Sequence, residues 1–445
     1  MSSQHRIAVI GAGPCGITAA KNCVDAGFNQ TTVFDRNQCV GGNWLYSEVP
    51  GHSSVFETTH TISSKLLSQY HDFPVPDHYP DYMSHRHLAQ YFQSYASHFG
   101  VDRLIRFGTT VEKAEPRPEG GWTLRIHDGE TTKSEAFDSL LVCNGHHWDP
   151  RMPSYQGTFA GKMIHSHDFK NAAPFRDQRV LVIGGGNSAC DVAVETSRVS
   201  RRTDISMRRG YWITPKFMFG KPTDLVNENL LWIPKPFRAF LSEKILYFMR
   251  GSNTRYGLLE PDHRFGQTHP TLNSELLYFL RHGRIRVQRD IQRLDGKTVH
   301  FTDGTSAEYD VIIACTGFRI SHPFLDKDLI DYSEGPVPLY LKVFPEKVKN
   351  LFFIGLFQPL GSIWPLAELQ AKIVARYLKE EWQLPRELGK AIQHELDHPD
   401  YHQLNTPRHT ITVDYHAFRK RLLAELPPLK PQPEPPVTLV GALEK

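Results

Sequence analysis

Val182-Ile183-Gly184-Gly185-Gly186-Asn187-Ser188-Ala189-Cys190-Asp191 is the second of two glycine loops in this chain; the first is Val9-Ile10-Gly11-Ala12-Gly13-Pro14-Cys15-Gly16. Each follows an apolar run and opens a helix-like pattern. A single G-x-G-x-x-G is a weak signal, but the repeat implies two nucleotides held by one polypeptide. The first glycine of such a loop permits the strand-to-helix turn, the second lets backbone approach a pyrophosphate, and the third lets helix pack on strand. Gly11, Gly13 and Gly16 fill one set; Gly184, Gly186 and Ala189 fill the other. The pyrophosphate would sit on the helix N-terminus, against unpaired N–H groups.

The charged residue downstream of each loop separates the two ligands. Thr31-Thr32-Val33-Phe34-Asp35 ends in an acid 24 positions past Gly11, near the roughly 20-residue spacing for a carboxylate on ribose hydroxyls. This loop suits FAD or NAD. Arg208, followed by Arg209, lies 24 positions past Gly184. A guanidinium fork there suits a 2′-phosphate, so the second loop suits NADPH over NADH. The pair describes a flavoprotein reduced by a nicotinamide.

At 445 residues the chain exceeds one core. A net charge of +3 is too small to argue for nucleic acid. The six cysteines form no C-x-x-C pair, which points to a reducing compartment and away from a disulfide reductase. His146-His147 and His165/His167 have no accompanying thiolate or carboxylate set, so no metal site is expected. No signal peptide is visible at the start, and no apolar run reaches the roughly 18 residues of a membrane span. A cytoplasmic, soluble protein is expected. The proline-rich end, Pro427 to Pro436, reads as an exposed tail.

Strands are expected at 7–10, 31–35, 121–127, 137–143, 179–183, 204–208, 309–315 and 351–355. Helices are expected at 14–26, 86–99, 187–199 and 364–381. The order gives an α/β fold: two Rossmann-like dinucleotide-binding domains, the NADPH domain inserted into the FAD domain. Residues 1–165 and 321–445 would form the FAD domain, and 166–320 the NADPH domain. Residues 211–270 are irregular and rich in aromatics, from Tyr211, Trp212, Phe217 and Phe219 to Trp232, Phe237, Phe240, Tyr247 and Phe248. They read either as a substrate-access cover or membrane-surface helix making weak peripheral contact, or as an insertion packing its aromatics on its own domain. The second is the expectation.

Phe159-Ala160-Gly161-Lys162-Met163-Ile164-His165-Ser166-His167-Asp168-Phe169 fits F-x-G-x-x-x-H-x-x-x-F and resembles the fingerprint of the flavin-containing monooxygenases. Gly41-Gly42-Asn43-Trp44 resembles the family's GG-x-W segment near the flavin. Ala314-Cys315-Thr316-Gly317-Phe318 is similar to its A-T-G-Y motif. Gly355 to Gly361, with Pro365 and Glu368-Leu369-Gln370, resembles its late flavin-side segment, and His409 to Tyr415 is also similar. The resemblance spans roughly residues 6 to 420. It implies FAD and NADPH as cofactors, and O2 with a small amine, sulfide or ketone as substrates. It implies oxygenation of nitrogen or sulfur through a peroxyflavin. Baeyer–Villiger oxidation of ketones, or peroxide production as an NADPH oxidase, is the alternative. A protein that binds flavin without turnover is a third reading. The flavin would carry the chemistry; no side-chain acid or base stands out. Gly42, Asn43, Trp44 and Gln370 would lie on the flavin side, with Thr316 and Gly317 near the domain junction. Oligomeric state stays open, with a homodimer the working expectation.

Three departures stand out. Thr61-Ile62-Ser63-Ser64-Lys65 resembles the family's Thr-Asn-Ser-Ser-Lys, so Ile62 replaces an asparagine that helps hold the peroxyflavin and NADP+. Either His60 or Thr61 substitutes, or peroxide leaks, or the reaction is specialised. Phe169 stands where Baeyer–Villiger relatives carry Trp, which lowers the expectation of ketone oxidation. The C-terminal anchor of animal members is missing, which favours a soluble, bacterial-type member.

Overall fold

The computed structural model describes residues 4–51, 53–333, 335–399 and 410–434. His409, and the tail from 435 onward that includes Pro435 and Pro436, lie outside them. The chain forms two compact units: Met1–Tyr46, Ser63–Asp149 and Arg319–Lys445 make the first, and Ser47–Ile62 with Pro150–Phe318 the second.

In the first unit, β1 (Arg6–Ile10), α1 (Pro14–Asp25) and β2 (Gln30–Phe34) follow one another. The core of β1, Ile7-Ala8-Val9, is fully buried, as a strand covered on both faces must be. The sheet has five parallel strands in the order 351–353, 139–142, β1, β2, 105–106. A three-stranded antiparallel meander, Thr110–Pro116, Trp122–His127 and Thr132–Phe137, adds to the unit; only its middle strand was legible in the sequence.

The second unit repeats the plan. Here β3 (Arg179–Ile183), α2 (Asn187–Ser197) and β4 (Arg202–Ser206) surround the second glycine loop. Five parallel strands run in the order 162–165, 311–314, β3, β4, 285–288. The strand expected at 204–208 starts and ends two residues earlier, so Arg208 lies beyond it.

The aromatic segment departs from expectation. Tyr211 is buried and Trp212 donates its indole N–H to the His263 carbonyl at 2.9 Å. Phe217, Phe219, Trp232, Phe237, Phe240, Tyr247 and Phe248 are instead exposed. The reason is geometric: α3 (Lys235–Arg250) buries only Leu246, so most of its aromatic positions have no core to enter. Among the described residues no helix is long and apolar enough to cross a membrane.

Candidate functional site: two glycine loops

The two loops are built alike, and in each the first glycine is required. Gly11 has φ +106° and Gly184 +132°, backbone that disfavours any side chain. The Gly11 N–H donates to the Phe34 carbonyl at 2.8 Å, and the Gly184 N–H to the Ser206 carbonyl at 3.0 Å. A Cβ at Gly11 would lie 2.7 Å from the Cys143 carbonyl oxygen, and one at Gly184 would lie 2.7 Å from that of Cys315. Each chain turn is thus pressed between two strand ends. At Gly16 a Cβ would fall 1.7 Å from the Gly11 carbonyl oxygen, so the third glycine seats α1 against the turn.

The helices after the loops have open N-termini. Neither α1 nor α2 has a side-chain cap or an acidic residue in its first turn. Such a terminus offers N–H groups and positive dipole to an anion. The middle glycine of the first loop leaves room for a close backbone approach. Gly13 is extended, with φ −73° and ψ −178°, and a Cβ there would lie 3.5 Å from the Gly42 Cα. Gly42 (φ +55°) begins the short 3-10 turn that contains Asn43 and Trp44, and the Gly41 N–H donates to the Ala12 carbonyl at 3.2 Å. The GG-x-W segment therefore backs the first loop. The Trp44 ring meets Trp364 edge-on at 5.9 Å.

The charged groups at the strand ends differ as their residues do. Asp35 is buried; its Oδ2 accepts from the Ala12 N–H at 2.6 Å and its Oδ1 from the Asn37 N–H at 2.7 Å. Each oxygen keeps acceptor capacity. Arg208 is exposed and, among the described residues, makes no hydrogen bond or ion pair. Arg209 lies over the Tyr211 ring at 5.5 Å, and its Nε is buried without a partner among the described residues. Tyr211 covers the middle of the second loop: a Cβ at Gly185 would meet its ring at 2.1 Å. Asn187 accepts from the Leu272 N–H at 2.7 Å, and Ser188 is exposed at the second position of α2.

The other sequence-derived residues divide between the units. Gln370 is fully buried in the first; its Oε1 accepts from the Gly355 N–H and its Nε2 donates to the Leu341 carbonyl, both at 2.9 Å. Its amide braces the turn at Gly355. Thr316 and Gly317 are in the second, where Thr316 donates to the Arg151 carbonyl at 2.5 Å and the Gly317 carbonyl accepts from the Arg151 N–H at 3.0 Å. Thr61 and Ile62 also belong to the second unit. The Thr61 hydroxyl is buried with no partner among the described residues, while Ile62 is half-buried. A buried hydroxyl left unpaired is a place for a ligand to supply a bond.

Sequence reasoning missed what positions this segment. His167 of the fingerprint bonds Ser54 through Nδ1 at 2.7 Å, the Lys170 ammonium donates to the Ser53 carbonyl, and Lys216 donates to the Thr61 carbonyl at 3.2 Å. Phe169 packs between Phe56 and Phe175. In α2, Asp191 accepts from the Asn273 amide at 2.6 Å. Burial pushes the Asp191 carboxyl up to about 6, against the lowering charge of Lys216, whose own value burial lowers. The folded chain keeps this proton up to about pH 6, while the unfolded chain sheds it near 4. Stability should therefore fall as pH rises through that window and level off above it. Asp191→Asn, which keeps the Asn273 bond, should abolish that slope and gain about 1–3 kcal/mol at neutral pH. Urea unfolding of both proteins across the window checks this; parallel profiles would count against it.

The open helix termini, the close backbone approach at Gly13 and Gly42, the spare acceptor capacity of Asp35 and the exposed guanidinium of Arg208 fit two dinucleotides. The chain matches the family described as "Flavin-binding monooxygenase-like" over residues 4–432. It is 35% identical over 441 residues to flavin-containing monooxygenase 5 of Cavia porcellus, covering 93% of this chain and 81% of that one. It is 35% identical to the N-oxide-forming dimethylaniline monooxygenase 2 of Oryctolagus cuniculus, over 85% of this chain and 74% of that one. In fold it is similar to S-allyl-L-cysteine S-oxygenase from Allium sativum, with TM-score 0.71, 23% identity and coverage of 96% and 89% of the two chains. It is also similar to cyclohexanone monooxygenase in its open form, with TM-score 0.70, 15% identity and coverage of 95% and 98%. The chain therefore belongs to the flavin-binding monooxygenase-like family and is a flavin-dependent monooxygenase, an oxidoreductase with two dinucleotide-binding folds.

Proposed function

We propose that this enzyme uses NADPH and O2 to oxygenate the nitrogen or sulfur of a small, soft nucleophile. The observation that carries the reading is the pair of like-built, uncapped glycine loops with opposite charges behind them. FAD would be held by Gly11, Gly13, Gly16, Asp35, Gly42, Asn43 and Trp44. NADPH would be held by Gly184, Gly186, Asn187, Ser188, Arg208 and Arg209, with Thr61, Ile62, Thr316 and Gly317 lining the working end. Gln370 would act through the Gly355 turn. When bound, the nicotinamide supplies hydride and the flavin supplies the oxygen chemistry. The chain's own part is to seat the pyrophosphates, orient the 2′-phosphate and keep water out. Relatives named for N-oxide formation and for S-oxygenation support the substrate class. All six cysteines are free, which supports a reducing, cytoplasmic setting.

The test is product analysis with NADPH and O2 on dimethylaniline, S-allyl-L-cysteine and cyclohexanone. An N-oxide or S-oxide is expected. An ester from the ketone would move the enzyme to Baeyer–Villiger chemistry, and peroxide alone would make it an NADPH oxidase. Ile62→Asn restores an amide where the family has one. It should cut the peroxide released per NADPH by about fivefold, the worth of one hydrogen bond. An unchanged yield would remove position 62 from the reacting centre.

A further inference from the structure

The end of the second unit's sheet where its strands begin carries a set of cations that the glycine loop does not use. Arg179 opens β3, Arg202 opens β4, and Arg284 directly precedes the edge strand Ile285–Gln288. The register sets Arg179 beside Arg202 and Thr203 beside Ile285, so the three arginines stand in a row across neighbouring strands. With Arg201 and Arg286 they line an open cavity of about 350 Å³, and no carboxylate among the described residues lines it. The length of β4, about 13 Å at roughly 3.3 Å per residue, lies between this end and Arg208.

Three of these guanidiniums are held in place by the fold. Arg179 makes a two-bond contact with Asp310, at 3.1 and 2.9 Å, and donates to Glu308 at 2.6 Å. Arg202 grips the buried carboxylate of Asp204 in the same two-bond way. Arg284 Nη2 donates to the Ser197 carbonyl at 2.7 Å, at the C-terminal end of α2. Each guanidinium has more N–H donors than these bonds use. The spare donors are already oriented, which lowers the ordering cost of binding. Arg201 and Arg286 are exposed and, among the described residues, make no hydrogen bond or ion pair. Arg284 has no acid partner among them either. Three positive charges thus share one cavity without a carboxylate, and like charges on adjacent strands repel. An anion relieves that repulsion, and guanidinium forks match phosphate oxygens. Strands lie about 4.8 Å apart, so a row across three of them is wider than one phosphate can bridge. We infer that the cavity binds a small anion with two or more linked phosphate groups, at a site separate from the glycine loop of this unit.

Calorimetric titration of the flavin-loaded full chain with sodium tripolyphosphate tests this. A single site per chain should saturate, with orthophosphate at least about tenfold weaker because it cannot span the row. The R201S/R286S variant should bind tripolyphosphate about 30-fold more weakly, having lost two charge-assisted contacts. It should unfold no earlier than the parent and keep the parent's NADPH oxidation, since both side chains are solvent-exposed. Saturating NADP+ should leave the titration unchanged. The inference is overturned by no saturable binding, by equal binding to the parent and R201S/R286S, or by orthophosphate binding as tightly as tripolyphosphate. Displacement of tripolyphosphate by NADP+ would also overturn it, because the phosphates would then sit in the coenzyme's place.

Discussion

Arg208→Ala should weaken NADPH by roughly 30- to 100-fold, about 2–3 kcal/mol, while NADH changes by less than about threefold. The guanidinium stands exposed past the end of β4 and makes no bond to the described residues. Removing it therefore costs the fold nothing and leaves no buried group unpaired. The whole effect should appear in binding of the phosphorylated coenzyme. Arg208→Lys should fall between, because an ammonium keeps the charge but not the fork. Steady-state KM values or direct titration with both coenzymes measure this. Equal losses for NADPH and NADH would remove Arg208 from the 2′-phosphate.

The second large effect separates the glycines of the first loop from one another. Gly13→Ala should give a folded protein that has lost flavin, with content down by at least about tenfold. Its extended backbone accepts alanine, and the new methyl meets only ordinary contact at the Gly42 Cα, 3.5 Å away. The apo-protein should unfold within about 1 kcal/mol of the parent. Gly16→Ala should behave differently. Its methyl would fall 1.7 Å from the Gly11 carbonyl oxygen, so α1 must move off β1, at about 3 kcal/mol or more. Loss of colour with retained stability in one variant, and loss of both in the other, distinguishes a pyrophosphate seat from a packing position. A Gly13→Ala protein as yellow as the parent would contradict the flavin assignment.

Much of this was readable from the chain because it is local. A glycine loop, the strand before it and the helix after it are consecutive, and the charge 24 positions on sits at or just past the end of the next strand. Helices such as 85–98 also show in their own periodicity. What stayed hidden depends on contacts between distant residues. Lys216 reaches the Thr61 carbonyl across 155 positions, and Asn273 reaches Asp191 across 82; neither pairing leaves a mark on the sequence around it. Residues 47–62 look continuous with the first unit in sequence, yet they pack with the second, pinned by His167 and Lys170. The aromatic segment misleads for another reason. Composition suggests a core, and only burial reveals that α3 turns most of its rings outward.

Anaerobic mixing of the FAD-loaded protein with NADPH, followed by admission of O2, tests the central claim that one chain holds both coenzymes. The yellow flavin absorption should bleach with NADPH, faster than with NADH, and return when oxygen enters. A preparation that takes up no flavin, or whose flavin stays oxidised in the presence of NADPH, would contradict it.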